Sequence, residues 1–126
     1  MKSVFTPKAP RPAGHYSQGM ISGNLVFVSG QLPIDPETGE KVLGDIEDQT
    51  LQALKNVKAV LEAAGSGLDR VVKTTVYVSD IQLWDRVNRV YAQFFGDHKP
   101  ARAVVPTRNL HFGFQVEIEA VAEIGS

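Results

Sequence analysis

Arg102 sits in an apolar segment, Pro100-Ala101-Arg102-Ala103-Val104-Val105, and a stretch carrying two glutamates follows it, Gln115-Val116-Glu117-Ile118-Glu119-Ala120-Val121-Ala122. A guanidinium is permanently charged, so among apolar neighbours it needs something anionic to meet it. Glu117 and Glu119 alternate with Val116, Ile118 and Ala120, and a strand puts both carboxylates on one face. A guanidinium fork holds a carboxylate through two parallel hydrogen bonds, while a carboxylate base can orient and deprotonate a water. Together Arg102 and Glu117 are expected to hold a small carboxylic acid beside a positioned water. Taken singly, each has a plainer reading, as a surface arginine at a strand start or a solvated strand glutamate. The apolar flanks of Arg102 argue against the first. Burial of the glutamate face in an oligomer would argue against the second.

Other residues bear on the same chemistry. Ser29-Gly30-Gln31 stands at the end of an apolar run, where a glycine lets a ligand approach the backbone and a free N–H can donate to it. Tyr16-Ser17-Gln18 follows a proline-rich stretch, and Asn88 lies beside Val87 on a helical pattern. By default Tyr16 is a packing residue and Asn88 a helix-surface residue. His15, His98 and His111 lack metal-ligand spacing. Ser17, Ser22 and Ser29 lack the setting of a nucleophile elbow. Gly65-Ser66-Gly67 follows a helix instead of opening one, and has no P-loop lysine.

The elements that must position these residues can be read from periodicity. Lys2 to Thr6 suits a short edge strand, and Pro7, Pro10, Pro12 and Gly14 mark an irregular stretch after it. Met20-Ile21-Ser22 and Leu25 to Ser29 flank Gly23-Asn24, a hairpin signal. Asp45 to Ala64 predicts a helix with Ile46, Leu51, Leu54, Val57, Leu61 and Ala64 on its apolar stripe. Leu68 to Val78 is β-branched and predicts a strand. Asp80 predicts the cap of a second helix, Ile81 to Phe95, with Leu83, Val87, Val90, Tyr91 and Phe94 facing inward. Strands are expected at Ala101–Val105 and Phe114–Glu123. The order β-β-β-α-β-α-β-β suits an α+β fold, a single mixed sheet with two helices packed on one face. The other face, expected to carry Val71, Thr75, Tyr77 and Val121, is then left for self-association.

With 126 residues the chain is expected to form one domain, 1–126. The formal net charge of −1 offers no footprint for nucleic acid or a membrane surface. The chain has no cysteine, which excludes disulfides and thiolate chemistry and suits a cytoplasmic setting. No stretch approaches the ~18 apolar residues of a membrane span. The N-terminal residues lack the apolar core of a secretory signal.

In order along the chain, Tyr16-Ser17-Gln18, Val28-Ser29-Gly30-Gln31-Leu32, Gln49 through Asn56, Leu61 to Gly65, Val71 to Tyr77, Asn88 to Phe95, Pro100-Ala101-Arg102 and Glu117 to Ala122 resemble the RidA (YjgF) family of reactive-intermediate deaminases. The resemblance implies a chorismate-mutase-like fold and a homotrimer with active sites in the clefts between subunits. It implies hydrolysis of 2-imino acids such as 2-iminobutanoate and 2-iminopropanoate, released by pyridoxal-phosphate-dependent dehydratases, to 2-oxo acids and ammonia, with no cofactor and no metal. Arg102 matches the arginine that clamps the substrate carboxylate, and Glu117 the acid that orients water. Gly30 and Val104 match positions offering backbone N–H groups. Ser29, Gln31, Tyr16 and Asn88 match pocket-lining positions, Tyr16 closing the site from a mobile N-terminal segment. The chain departs from the family at His15, Ala103, Val104 and the turn Asn109 to Phe114. If that turn borders the cleft, His111, Phe112 and Phe114 are expected to alter the substrate size accepted. Two other classes remain open: an endoribonuclease-like translation inhibitor, an activity also attributed to some relatives, and a non-catalytic small-acid binding or regulatory protein.

Overall fold

The computed structural model describes residues 1–125. Its strands are β1 (Lys2–Val4), β2 (Gly19–Ser22), β3 (Leu25–Gln31), β4 (Val71–Val78), β5 (Ala101–Pro106) and β6 (Val116–Glu123), with helices α1 (Ile46–Ala63) and α2 (Trp84–Phe95). They form one six-stranded sheet in the order β1-β2-β3-β6-β4-β5. Every neighbouring pair is antiparallel except β4 and β5, which run parallel and are joined through α2. Gly23 turns the β2–β3 hairpin at φ 61°, a conformation that costs glycine nothing.

Strand alternation supplies the sheet's half of the core. Val26, Val28, Val76, Val78, Val116, Ile118 and Ala122 are almost fully buried beneath the helices. Ala53, Leu54, Val57, Val60 and Leu61 from α1, with Val87, Tyr91 and Phe95 from α2, meet them. Leu51 is not among them and is exposed. It falls about 140° around the helix from Ile46, outside the stripe. Glu47 and Arg86 tie the two helices at the surface through paired 2.7 Å hydrogen bonds. The bond to Arg86 lowers the Glu47 pKa to about 2.

Several element boundaries differ from expectation; β1, for one, ends at Val4 and β3 runs on to Gln31. Leu68–Arg70 forms a 3-10 turn, with the Arg70 N–H donating to the Gly67 carbonyl, so β4 begins at Val71. Asp80 does cap, its carboxylate accepting from the Gln82 N–H at 2.9 Å. What it caps is a 3-10 turn over Ile81–Leu83, and α2 proper starts at Trp84. Gln115 precedes β6, which starts at Val116 rather than Phe114.

The open face also differs in detail. Thr75, Tyr77 and Val121 lie there, but Val71 is 2% exposed and belongs to the core. The register shifts between Val71 and Lys73, and this irregularity returns Val71 to the helix side. Phe27 and Val105 join the open face and are 45% and 37% exposed.

Candidate active site

β5 is an edge strand, hydrogen-bonded to β4 alone, with Arg102 opposite Thr74 and Val104 opposite Val76. Thr74 is fully buried against α2, its hydroxyl 2.7 Å from the Tyr91 hydroxyl. Arg102 follows Thr74 toward the helices. Its Nη1 donates to Asn88 Oδ1 at 2.9 Å, and its guanidinium carbon lies 4.7 Å from the Tyr91 ring centroid and 5.5 Å from that of Trp84. Asn88 is therefore a partner of the cation. Arg102 is half-buried at the wall of a cavity of about 400 Å³ between β5 and α2. Burial raises the Tyr91 pKa, while the Thr74 bond and the Arg102 charge oppose the shift. Val104 packs its side chain against the core, so what it can present to a ligand is edge-strand backbone.

Glu117 occupies the opposite face of the sheet. It stands opposite Tyr77 on β4, and its neighbours Val116 and Ile118 point into the core. On its other side β3 carries one extra residue: Val28 pairs with Ala120 and Gln31 with Ile118, leaving a bulge at Ser29-Gly30. The Glu117 carboxylate lies directly on Gly30. A Cβ there would run into its oxygen and come within 3.0 Å of its Cδ. Tyr16, Ser29, Gly30, Glu117 and Glu119 line one cavity of about 330 Å³. Burial raises the Glu117 pKa, the charge of Glu119 adds to the rise, and His111 opposes it. Glu119 is engaged elsewhere, accepting from the Tyr77 hydroxyl at 3.0 Å, and that bond raises the Tyr77 pKa.

The eight expected site residues thus fall into two groups. Arg102, Asn88 and Val104 belong to the β5–α2 edge. Tyr16, Ser29, Gly30, Gln31 and Glu117 gather around the β3 bulge. Within one chain they form no common pocket, because Arg102 and Glu117 project from opposite faces of the sheet.

The loops around Glu117 are pinned by side-chain hydrogen bonds to the backbone, most of them from buried amides. Gln18, 1% exposed, accepts from the Thr6 N–H and donates to the Thr6, Ala9 and Pro10 carbonyls. These bonds hold the segment at Thr6, Ala9 and Pro10, ahead of Tyr16, which is 51% exposed. The Ser29 hydroxyl donates to the Ser17 carbonyl at 2.6 Å, and Gln31 Nε2 to the Ser29 carbonyl at 3.1 Å. Asn56 donates to the Leu32 and Ile34 carbonyls, and Gln49 accepts from the Gln115 N–H just before β6. Their signal in the sequence was polar amides set into the apolar stripe of α1.

His111 and Phe112 line a cavity of about 390 Å³ together with Tyr16, Gly30 and Leu32. Phe114 is 1% exposed and lines neither this cavity nor the one at Glu117. Among the described residues no cluster of His, Asp and Glu suits a metal ion, and no helix is long and apolar enough to cross a membrane.

This sheet with its two helices matches a family of small α+β proteins, and residues 6–124 match the model described as endoribonuclease L-PSP. The chain belongs to that family, the RidA (YjgF) family of the sequence resemblance. It is 52% identical over 119 residues to the RutC family protein PH0854 of Pyrococcus horikoshii, covering 94% of each chain. Among solved structures it is similar to the YjgF gene product of E. coli, with a TM-score of 0.93, 42% identity and 98% of both chains covered. It is likewise similar to E. coli TdcF with bound serine, with a TM-score of 0.94, 39% identity and coverage of 99% of this chain and 100% of that one.

Proposed function

We propose that this protein hydrolyses 2-imino acids and their enamine tautomers to 2-oxo acids and ammonia, in sites shared between the subunits of a homotrimer. The observation that carries this reading is the pair of complementary half-sites. One offers a half-buried guanidinium beside Asn88, and the other a desolvated carboxylate of raised pKa on the Gly30 backbone. Joined across an interface, they would hold a small anion and a water. The solved TdcF relative binds an amino acid, serine, which has the carboxylate and α-nitrogen such a site needs.

In this mechanism Arg102 anchors the substrate carboxylate through the donors that Asn88 leaves free. Anchoring brings the C=N carbon to a water held by Glu117 and replaces a bimolecular encounter with a positioned attack. The water oxygen bonds to carbon as Glu117 accepts its proton, and the C=N electron pair moves to nitrogen. Glu117 returns that proton to the nitrogen, the hydroxyl proton follows as the C=O bond forms, the C–N bond breaks, and ammonia departs to leave the 2-oxo acid. No external oxidant or cofactor enters this balance.

The test couples a dehydratase that generates 2-iminobutanoate to semicarbazide trapping. The protein is expected to divert imine to 2-oxobutanoate, and Arg102→Ala is expected to abolish this while the fold persists. Turnover at the wild-type rate in Arg102→Ala would refute the clamp. The family description favours a second reading, cleavage of RNA. A net charge of −1 supplies little attraction for a phosphate backbone. RNA cleavage by nuclease-free protein, lost in Arg102→Ala, would support that reading instead.

A further inference from the structure

We infer that Phe112 and the cavity it walls receive the substrate's side chain, and that 2-imino acids with bulky apolar or aromatic side chains are preferred. This rests on the imine-hydrolase reading for its chemistry. The cavity at Glu117 and the one at Phe112 share Tyr16, Gly30 and Leu32, so the second continues the first. A substrate whose reacting carbon lies at Glu117 has this space open to its side chain. Pro10, Leu32, Ile34 and Phe112 make the walls apolar, with Arg11 and His111 also at the lining. Its volume of about 390 Å³ accommodates a phenyl ring and is left largely empty by a methyl or ethyl group.

Phe112 itself is strained. It has φ 60° and ψ 15°, the only non-glycine residue with positive φ among those described. That conformation is disfavoured for a residue with a Cβ. The side chain is 47% exposed, so burial does little to offset the strain. Strain held without a folding return is a mark of function. The ring nevertheless has close neighbours. It meets His111 edge-on at 3.9 Å between centroids and Phe114 at 6.1 Å, and the Lys41 ammonium sits 4.5 Å from its centroid. Asn56 holds the facing wall through the Leu32 and Ile34 carbonyls at 3.1 and 2.9 Å. The result is an aromatic surface beside a site for a reactive acid.

The test generates imines from phenylalanine and from alanine with an amino-acid oxidase and measures kcat/KM for each. Wild type is expected to favour the phenylalanine-derived imine, and Phe112→Ala to lower the ratio of the two values by ~10-fold. Phe112→Gly, which suits the backbone conformation, is expected to lower it as much while melting no earlier than wild type. A ratio unchanged in both variants overturns the inference. Calorimetry with 2-oxo-3-phenylpropanoate and pyruvate separates the two ideas. Should wild type hydrolyse neither imine yet bind the phenyl acid more tightly through Phe112, the reaction falls and the side-chain cavity stands. Equal binding of the two acids removes the cavity's role whatever the turnover.

Discussion

Glu117 bears two opposed demands, since a base must ionise and burial resists ionisation. Its raised pKa means the folded state favours the neutral acid. The stabilising contribution of that preference is complete below the unfolded carboxylate pKa and is lost as pH rises through the folded one. Glu117→Gln is therefore expected to raise the melting temperature at pH 8, with the gain shrinking toward pH 4. The same variant is expected to cut kcat for imine hydrolysis by ~100-fold while changing 2-oxo acid binding far less, as loss of a general base does. Gly30 is constrained as tightly. Gly30→Ala places a methyl group in the Glu117 carboxylate and is expected to reduce turnover by up to ~100-fold, the cost of a 1 Å displacement of a reacting group. Unaltered kinetics in Gly30→Ala would mean that Glu117 is free to move without consequence.

Among the elements, stability and function meet in the buried amides. Gln18 makes four hydrogen bonds to the backbone of the N-terminal segment, which carries Pro10 toward one cavity and leads into Tyr16. Leucine at this position fills similar volume but strands those backbone groups. Gln18→Leu is expected to destabilise by ~2–4 kcal/mol in denaturant titration, since each unsatisfied buried group costs about 1–3 kcal/mol. It is also expected to raise KM through loss of Tyr16 positioning. The β3 bulge acts in the opposite sense. It gives up regular pairing with β6 at Ser29-Gly30 and sets Gly30 against the Glu117 carboxylate, while the Ser29 N–H and carbonyl are taken by Gln18 and Gln31.

For the whole molecule, the opposite-face placement of Arg102 and Glu117 makes a quantitative prediction. If each site takes its arginine from one subunit and its glutamate from the next, inactive Arg102→Ala and Glu117→Gln proteins complement each other. Equal mixing after subunit exchange leaves both groups intact in ~25% of sites of a cyclic trimer, and that share of wild-type activity is expected. No recovery, with exchange verified by native mass spectrometry, would refute a site shared in this way. The open face supports such assembly: Phe27 and Val105 lie exposed on it beside Thr75, Tyr77 and Val121.

Alternation over Val116 to Glu123, the apolar stripe of α1 and the glycine turn at Gly23 were legible because they depend on neighbours a few residues apart. That local order determined the elements, the common face of Glu117 and Glu119, and the types of group available for chemistry. Leu51 and Val71 escaped it for related reasons: one stands just outside the helical stripe, and the other is turned inward by a register shift that only its pairing partner reveals. Gln18, Asn56 and Gln49 gained meaning once distant carbonyls and N–H groups closed on them. Tertiary structure alone decided that Arg102 faces α2 while Glu117, on the opposite face of the sheet, lies against the β3 bulge. Strand order and register come from contacts between segments far apart in the chain, and periodicity within one segment carries no record of which neighbour it will meet.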